Sequence, residues 1–260
     1  MKVSFSNIAW LPEHDEEMYV FLQELGFTGL EIAPTRIFPD NPYEQLDEVR
    51  TFAEKLKSKY GLSVSSMQSI WYGRNESIFG SEHDRNTLVE YTKKAVNFAV
   101  AAGCKNLVFG CPKNRNMPQN ANIKTAYDFF GKIVGYAVEC NVTIALEPNP
   151  PIYGTNFINR TEEAFAFVKD IKGLAVNIDC GTIIENSENL KIISDNLNLV
   201  NHIHISEPNL VKIEERILHN ELYSILKNGD YDKYVSVEMK NLGNIELVKQ
   251  TAEYVRRVFV

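Results

Sequence analysis

The feature that most constrains the fold is a regular alternation of short apolar runs with longer amphipathic stretches. Eight short runs rich in β-branched residues recur about every 32 residues along the 260-residue chain. In order they read VSFSNIA, TGLEIA, LSVSSMQ, NLVFG, VTIALEP, LAVNIDC, LVNHIHIS and YVSVEMK. Such alternation is typical of βαβ units and predicts a parallel sheet.

The intervening stretches carry helix signals. The first begins at Pro12, places Met18, Leu22 and Leu25 on one face and ends at Gly26. Eight strands alternating with helices fit either a closed barrel or an open doubly wound sheet. No G-x-G-x-x-G motif follows the first strand, which disfavours an open dinucleotide-binding sheet. Polar residues also end many of the strands, and a barrel brings those ends to one face. We therefore predict an α/β fold, a single (β/α)₈ TIM barrel over residues 1–260.

The overall charge argues against binding to polyanions. The chain has 27 lysine and arginine residues against 34 aspartate and glutamate residues, a formal net charge of −7. An acidic surface repels a phosphate backbone and an anionic membrane, so we expect neither nucleic-acid nor membrane partners. No stretch approaches the ~18 apolar residues of a transmembrane helix, and the N-terminus reads as a strand rather than a signal peptide.

The four cysteines form no C-x-x-C pair and are predicted to be free thiols in a reducing cytoplasm. Cys180 lies beside a candidate metal ligand, so its reactivity is left open.

Charged or metal-ligating residues end the last four strands, in IALEPNP, VNIDCGT, HIHISEP and SVEMK. These residues are Glu147, Asp179, His204 and Glu238. A charge at a buried strand end is costly unless it is paired or coordinated. Three carboxylates and one imidazole from adjacent strands predict a site for one divalent metal ion. Such oxygen-rich ligation suits Mn²⁺ best, with Mg²⁺, Co²⁺ or Zn²⁺ as alternatives.

Each of these residues also has a purely structural interpretation. A strand-end carboxylate can pair with a lysine or arginine, or cap the next helix. His202 lies two residues before His204 on the same face of its strand, and we interpret it as a packed, hydrogen-bonded core histidine. The coincidence of four neighbouring strands favours the metal site.

The segments EPNP, NIDCGT, HIHISEPN and SVEMK resemble the strand ends of the xylose isomerase-like TIM-barrel superfamily. Within it, the chain is most similar to sugar epimerases and isomerases of the D-tagatose 3-epimerase type, over nearly its whole length. The resemblance implies that Glu147, Asp179, His204 and Glu238 bind the metal, and that Glu147 and Glu238 also move protons. It places Glu207 and Asn209 close to the sugar.

Three positions depart from the epimerase pattern. Thr182 replaces a histidine, Leu210 replaces an arginine that contacts the substrate, and Tyr153 replaces a glutamate. The departures leave the metal set intact and weaken a tagatose- or psicose-type specificity.

Further residues are placed to contact a substrate. Gln68, Asn149 and Lys240 follow strand ends and can hydrogen-bond hydroxyl groups. Glu31 ends the second strand, where it either contacts substrate or binds a neighbouring cation. Trp71 and Tyr72 can line the pocket or pack against the scaffold.

We therefore predict a metal-dependent isomerase or epimerase of a small ketose or related polyol. The metal would polarise the carbonyl and stabilise a cis-enediolate, while the two glutamates take and return the proton from opposite faces. The alternatives are a keto-inositol dehydratase, an apurinic endonuclease, for which five histidines are few, and a non-catalytic sugar-binding barrel. Assembly into a homo-oligomer is left open.

Overall fold

Eight parallel strands close into a barrel in the computed structural model, which describes residues 1–260. Each strand pairs with its sequence neighbour, and β1 also pairs with β8 through Phe5 and Val237. The strands are β1 (Lys2–Ser6), β2 (Gly29–Ile32), β3 (Ser63–Met67), β4 (Asn106–Phe109), β5 (Thr143–Leu146), β6 (Ala175–Asp179), β7 (Val200–Ile205) and β8 (Tyr234–Val237). The predicted (β/α)₈ barrel is confirmed.

Ten α-helices surround the barrel or lie in its loops. They are α1 (Asp15–Glu24), α2 (Pro34–Ile37), α3 (Leu46–Tyr60), α4 (Glu82–Ala101), α5 (Lys124–Glu139), α6 (Thr161–Lys169), α7 (Cys180–Glu185), α8 (Lys191–Ser194), α9 (Ile217–Asn228) and α10 (Ile245–Phe259). Two connections are more elaborate than one helix per strand. A short helix, α2, follows β2, and the segment after β6 divides into α7 and α8.

The helix boundaries follow local sequence signals. Pro12 begins a single 3₁₀ turn, and α1 itself starts at Asp15, where three acidic residues complement the helix dipole. Ser81 caps α4 and forms a reciprocal capping box with Asp84. Gly103 follows α4 with a φ of 66°, a left-handed conformation that glycine adopts without strain.

The apolar core is one cluster of 68 buried residues between the barrel and its helices. Two irregularities interrupt the strand register, between Leu30 and Glu31 in β2 and between Val176 and Asn177 in β6. Such shifts change the direction of the following side chains. Both lie directly before polar residues that reach the carboxyl end of the barrel. No helix is long and apolar enough to cross a membrane.

Candidate metal centre and active site

The four residues at the ends of β5 to β8 meet at the carboxyl end of the barrel. Glu147 and Glu238 directly follow β5 and β8, Asp179 ends β6, and His204 lies in β7 beside Asp179 in the register. All four are buried, and His204 is completely inaccessible. One ligand atom from each lies within 4.8 Å of the others. The barrel therefore brings together the four residues that the strand ends predicted.

The imidazole of His204 lies between two layers of carboxylates. Its Nδ1 is 2.8 Å from Oε1 of Glu147 and 3.2 Å from Oε2 of Glu238. Its Nε2 is 3.0 Å from Oε2 of Glu31, which is also 2.9 Å from Nε2 of His202. The hydrogen bond to Glu31 favours the tautomer with hydrogen on Nε2 of His204. Loss of the Nδ1 proton, as metal binding requires, would leave a lone pair that faces the carboxylate cluster.

Neutral side chains orient the carboxylates. Asn177 donates its amide Nδ2 to Oε1 of Glu147 at 2.6 Å. Thr182 donates both its backbone N–H and its hydroxyl to Oδ2 of Asp179, at 2.7 and 2.8 Å. Ser206 donates its hydroxyl to the other oxygen of Asp179. Asn177 and Ser206 were not among the predicted site residues. Each lies two residues from a ligand and therefore on the same strand face, a period-2 signal that identifies them.

A buried arginine supports Glu147 from behind. Arg115 donates Nη2 to the carbonyl oxygen of Glu147 at 2.9 Å and to Oδ1 of Asn149 at 2.6 Å. Asn149 in turn donates Nδ2 to Oε2 of Glu147 at 3.0 Å. Burial lowers the pKa of Arg115 to about 10. Arg115 ends a single 3₁₀ turn (Pro112–Arg115) after β4 that carries no periodic pattern, so no signal in the sequence pointed to it.

Burial and mutual repulsion determine the charge of the cluster. Burial, followed by the negative charge of Glu147, raises the pKa of Asp179 to about 6. Burial raises the pKa of Glu238 to about 7, although His204 opposes the shift. Burial acts on Glu147 too, but His204 outweighs it and the pKa falls below its usual value. The surrounding glutamates raise the pKa of His204 well above its usual value despite burial. When ionised, the three carboxylates thus carry more negative charge than the one positive charge of a protonated imidazole can neutralise.

This donor set fits one divalent cation. The 4.8 Å span is about twice the 2.0–2.6 Å separating Mg²⁺ or Ca²⁺ from its oxygen ligands, so a single ion can contact all four atoms. Oxygen donors with one imidazole nitrogen suit Mn²⁺ or Mg²⁺ and accommodate Co²⁺ or Zn²⁺. A second group, Glu31 with His202 and His204, is also close enough to hold a metal. Its hydrogen bonds already occupy the facing atoms, which indicates a supporting role.

A cavity of about 190 Å³ opens onto the cluster and is lined by Glu147, Asp179 and Glu238. Two of the predicted substrate contacts, Gln68 and Asn149, also line it. The remaining lining includes apolar and backbone groups from Ile8, Val108 and Gly110. A Cβ atom on Gly110 would lie 2.8 Å from Oε2 of Glu147, so the absence of a side chain there keeps this carboxylate accessible.

The other predicted substrate contacts lie away from this cavity. Glu207 is buried and its carboxylate binds Arg216 through two hydrogen bonds of 2.6 and 2.7 Å. Asn209 and Lys240 are exposed and belong to neighbouring loops. Glu31 is completely buried behind His204. These four residues therefore do not line the cavity, as Gln68 and Asn149 do.

The three departures from the epimerase pattern all surround the cluster. Thr182 binds Asp179, while Tyr153 and Leu210 line the cavity. The hydroxyl of Tyr153 accepts the backbone N–H of Asn209 at 2.8 Å. Cys180 is buried, and burial raises the pKa of its thiol, which makes the reactive thiolate scarce.

Three solved structures share this barrel over nearly their full lengths. The 3-keto-D-glucoside 4-epimerase of E. coli is 19% identical, with 99% of each chain covered and a TM-score of 0.78. The D-psicose 3-epimerase of Clostridium cellulolyticum H10, solved with D-tagatose, is 17% identical, with 100% of this chain and 99% of that chain covered and a TM-score of 0.79. An AP endonuclease, family 2, from Brucella melitensis is 19% identical, with coverage of 95% and 96% and a TM-score of 0.72.

At sequence identities of 17–19%, these similarities show a shared fold alone. No curated protein sequence matches the chain significantly. The family model described as the xylose isomerase-like TIM barrel matches residues 20–258. Because this match spans most of the sequence, the chain belongs to the xylose isomerase-like TIM-barrel family.

Proposed function

We propose that residues 1–260 form a single catalytic domain, a sugar isomerase or epimerase that depends on a divalent metal ion. Mn²⁺ is the preferred ion. The observation that carries the proposal is the position of the two glutamates. Glu147 and Glu238 come from different strands, both line the cavity, and both approach Nδ1 of His204. We infer that a sugar bound in this cavity lies within reach of both carboxylates.

Glu147, Asp179, His204 and Glu238 would hold the ion. When bound, it would act as a Lewis acid that polarises the carbonyl of the sugar and acidifies the adjacent C–H group. One glutamate removes the proton from that carbon, and the other delivers a proton to the opposite face, which inverts the centre. Delivery to the neighbouring carbon instead interconverts an aldose and a ketose.

The two glutamates differ in their hydrogen bonds. Glu147 accepts amide N–H groups from Asn149 and Asn177, and both contacts stabilise its ionised form. The only polar side chain that the carboxylate of Glu238 contacts is His204. We therefore infer that Glu238 is the stronger base of the two. Gln68 and Asn149 are the residues in the cavity that are placed to hydrogen-bond the sugar hydroxyls.

The neighbouring structures support a sugar substrate. Two of them are described as epimerases of a keto-glucoside and of D-psicose. The AP endonuclease neighbour shares the barrel to a similar degree, so the fold alone does not choose between these activities. The mononuclear set with a single imidazole and the net charge of −7 favour the sugar enzyme.

A sugar panel monitored by NMR in D₂O tests the proposal. Free ketoses, phosphorylated ketoses, ring ketones of glycosides and keto-inositols are incubated with the Mn²⁺-loaded protein. The expected result is deuterium at the carbon beside a carbonyl, together with an isomeric product. Loss of water from a keto-inositol would reassign the protein as a lyase. No exchange with any sugar, with each of the four metals, would refute the proposal.

A further inference from the structure

The active-site cavity adjoins a much larger cleft. The cavity holds about 190 Å³, whereas the cleft holds about 830 Å³. Ile8 and Ser69 line both, so the two spaces meet at these residues. Sites for drug-sized ligands hold ~300–1,000 Å³. The cavity thus suits a single small ring, and the cleft provides room for a substantial second group beside it.

The charges in the cleft are paired within the protein. Both arginines on its walls form ion pairs with carboxylates, and its lysine lies 3.3 Å from a glutamate on the same wall. The pairs are Arg36–Asp15, Arg74–Glu76 and Lys94–Glu44. The Arg36 pair is bidentate, with distances of 2.7 and 2.6 Å. Each cation on the walls of the cleft therefore already has a carboxylate partner that a bound phosphate or carboxylate would face. The cleft therefore favours an uncharged group.

An exposed aromatic ring forms one wall. Tyr72 is 71% exposed, and its hydroxyl has no hydrogen-bond partner in the protein. Its neighbour Trp71 is only 2% exposed and donates Nε1 to Thr92 at 2.9 Å. Ser69 has a left-handed φ of 54° and starts the turn in which its carbonyl accepts the N–H of Tyr72. This turn anchors Trp71 in the core and presents Tyr72 to the cleft.

We propose that the substrate is a neutral glycoside whose reacting ring, joined through its own anomeric carbon to a second ring, enters the cavity while the second ring lies in the cleft against Tyr72. The inference rests on the proposed function, because the metal cluster identifies the end at which the chemistry occurs. The apolar face of a pyranose ring can pack on an aromatic face, and the ring hydroxyls need no counter-charge. The paired charges and the free tyrosine match these two requirements.

The glycosidic bond constrains the chemistry. It holds the anomeric carbon of the reacting ring as an acetal, so that carbon cannot supply the carbonyl. The substrate must therefore carry a ketone elsewhere in the ring. A C–H bond beside this ketone breaks, its proton passes to a glutamate, and a proton returns to the same carbon from the opposite face. No electrons are gained or lost. The class of reaction that supplies the substrate is consequently the oxidation of a ring hydroxyl of a glycoside.

Kinetics with matched substrates test the cleft. Two substrates are compared, cellobiose and methyl glucoside, each oxidised to a ketone in its reacting ring. Both are assayed with the wild type, Tyr72→Ala and Tyr72→Phe. We expect Tyr72→Ala to raise KM about 5- to 10-fold for the disaccharide alone, at unchanged kcat, while Tyr72→Phe behaves as wild type. Equal KM values for both substrates in all three proteins would overturn the proposal, as would a preference for phosphorylated ketoses.

A binding measurement separates this proposal from the proposed function. Unmodified cellobiose has no ring ketone, so saturation-transfer NMR reports its binding without turnover. Transfer to both rings in the wild type, with transfer to one ring lost in Tyr72→Ala, would support the cleft even if no sugar exchanges deuterium. Turnover of free ketoses together with identical cellobiose spectra in the two proteins would refute the cleft and retain the sugar isomerase.

Discussion

The two halves of the barrel contribute different things to the carboxyl end. In β5 to β8, the strand ends carry Glu147, Asp179, His204 and Glu238, which converge within 4.8 Å. In β1 to β4, the residue after β3 at this end is the neutral Gln68, and the loops after β2 and β3 instead form the cleft of about 830 Å³. A strand end holds a side chain rigidly, whereas loops change shape with little cost to the barrel. The second half of the barrel thus holds the candidate metal ligands, and the loops of the first half form the larger open space beside them.

The largest effect is expected from removing a ligand in the second half. Asp179→Ala deletes one carboxylate of the cluster, and His204→Ala deletes its imidazole. Elemental analysis should find close to one divalent ion per wild-type chain and none in either variant, with activity lost in both. Asp179→Asn is the control for folding, because it keeps an oxygen that can accept the N–H of Thr182 and cap α7. Three zinc ions per chain would contradict a mononuclear site.

The next effect concerns the two glutamates as proton carriers. Glu147→Gln and Glu238→Gln keep the size and one ligating oxygen but remove the basic site. We expect turnover to fall by ~10²–10⁴, with a modest fall in metal affinity. Glu253→Gln, an exposed site on α10, is the control and should retain full activity.

Isotope labelling separates the two roles. With substrate deuterated at the reacting carbon, the variant that lacks the abstracting base should retain the label, and the other should lose it to solvent. If both residues bind the metal without carrying protons, excess metal should restore the activity of both variants. Full activity in either glutamine variant would remove that residue from the mechanism.

A residue of the first half provides the sharpest test of the division between the two halves of the barrel. Glu31 in β2 contacts Nε2 of His204, on the side away from the cluster. Glu31→Gln should weaken metal binding by ~10–100-fold, the range typical of a residue that orients a metal-binding histidine. Titration calorimetry with Mn²⁺ measures this, and Gln68→Ala serves as the control, because Gln68 lines the cavity but hydrogen-bonds Ser6 and Ser69 rather than a metal-ligand candidate. Unchanged affinity in Glu31→Gln would show that the second half suffices.

The smallest effect lies in a buried histidine remote from the metal cluster. Burial lowers the pKa of His219 in α9 to about 4, against ~6.5 in the unfolded chain. The unfolded state therefore binds the proton more tightly, and stability is lost as the pH falls from about 6.5 towards 4. Between pH 7 and pH 5 this amounts to about 2 kcal/mol.

The variant His219→Gln isolates this contribution. His219 lies 2.8 Å from the hydroxyl of Tyr254, and glutamine retains an acceptor for it. Urea unfolding at both pH values should show a loss of stability that is about 2 kcal/mol smaller in His219→Gln. An identical loss in the two proteins would show that groups other than His219 cause the pH dependence.

The fold and the metal-ligand candidates could be predicted from the sequence, because both depend on patterns of consecutive residues. Periodicity and strand length are properties of consecutive residues, and parallel strands in a barrel necessarily bring their carboxyl ends to one face. Glu147, Asp179, His204 and Glu238 could therefore be grouped from their positions in the sequence. Gln68 and Asn149 were found by the same reasoning, since each lies at or just after a strand end.

Only the tertiary structure decided which of the remaining candidates face the cavity. Glu207 follows a strand as Gln68 does, yet Arg216 from another segment binds its carboxylate. Arg115 gave no local signal, and its role depends on contacts with residues more than 30 positions away. The cleft likewise arises from the loops after two strands, whose relative position no periodicity specifies. Side-chain partners across the barrel are set by packing between distant segments, so they appear once the chain is folded.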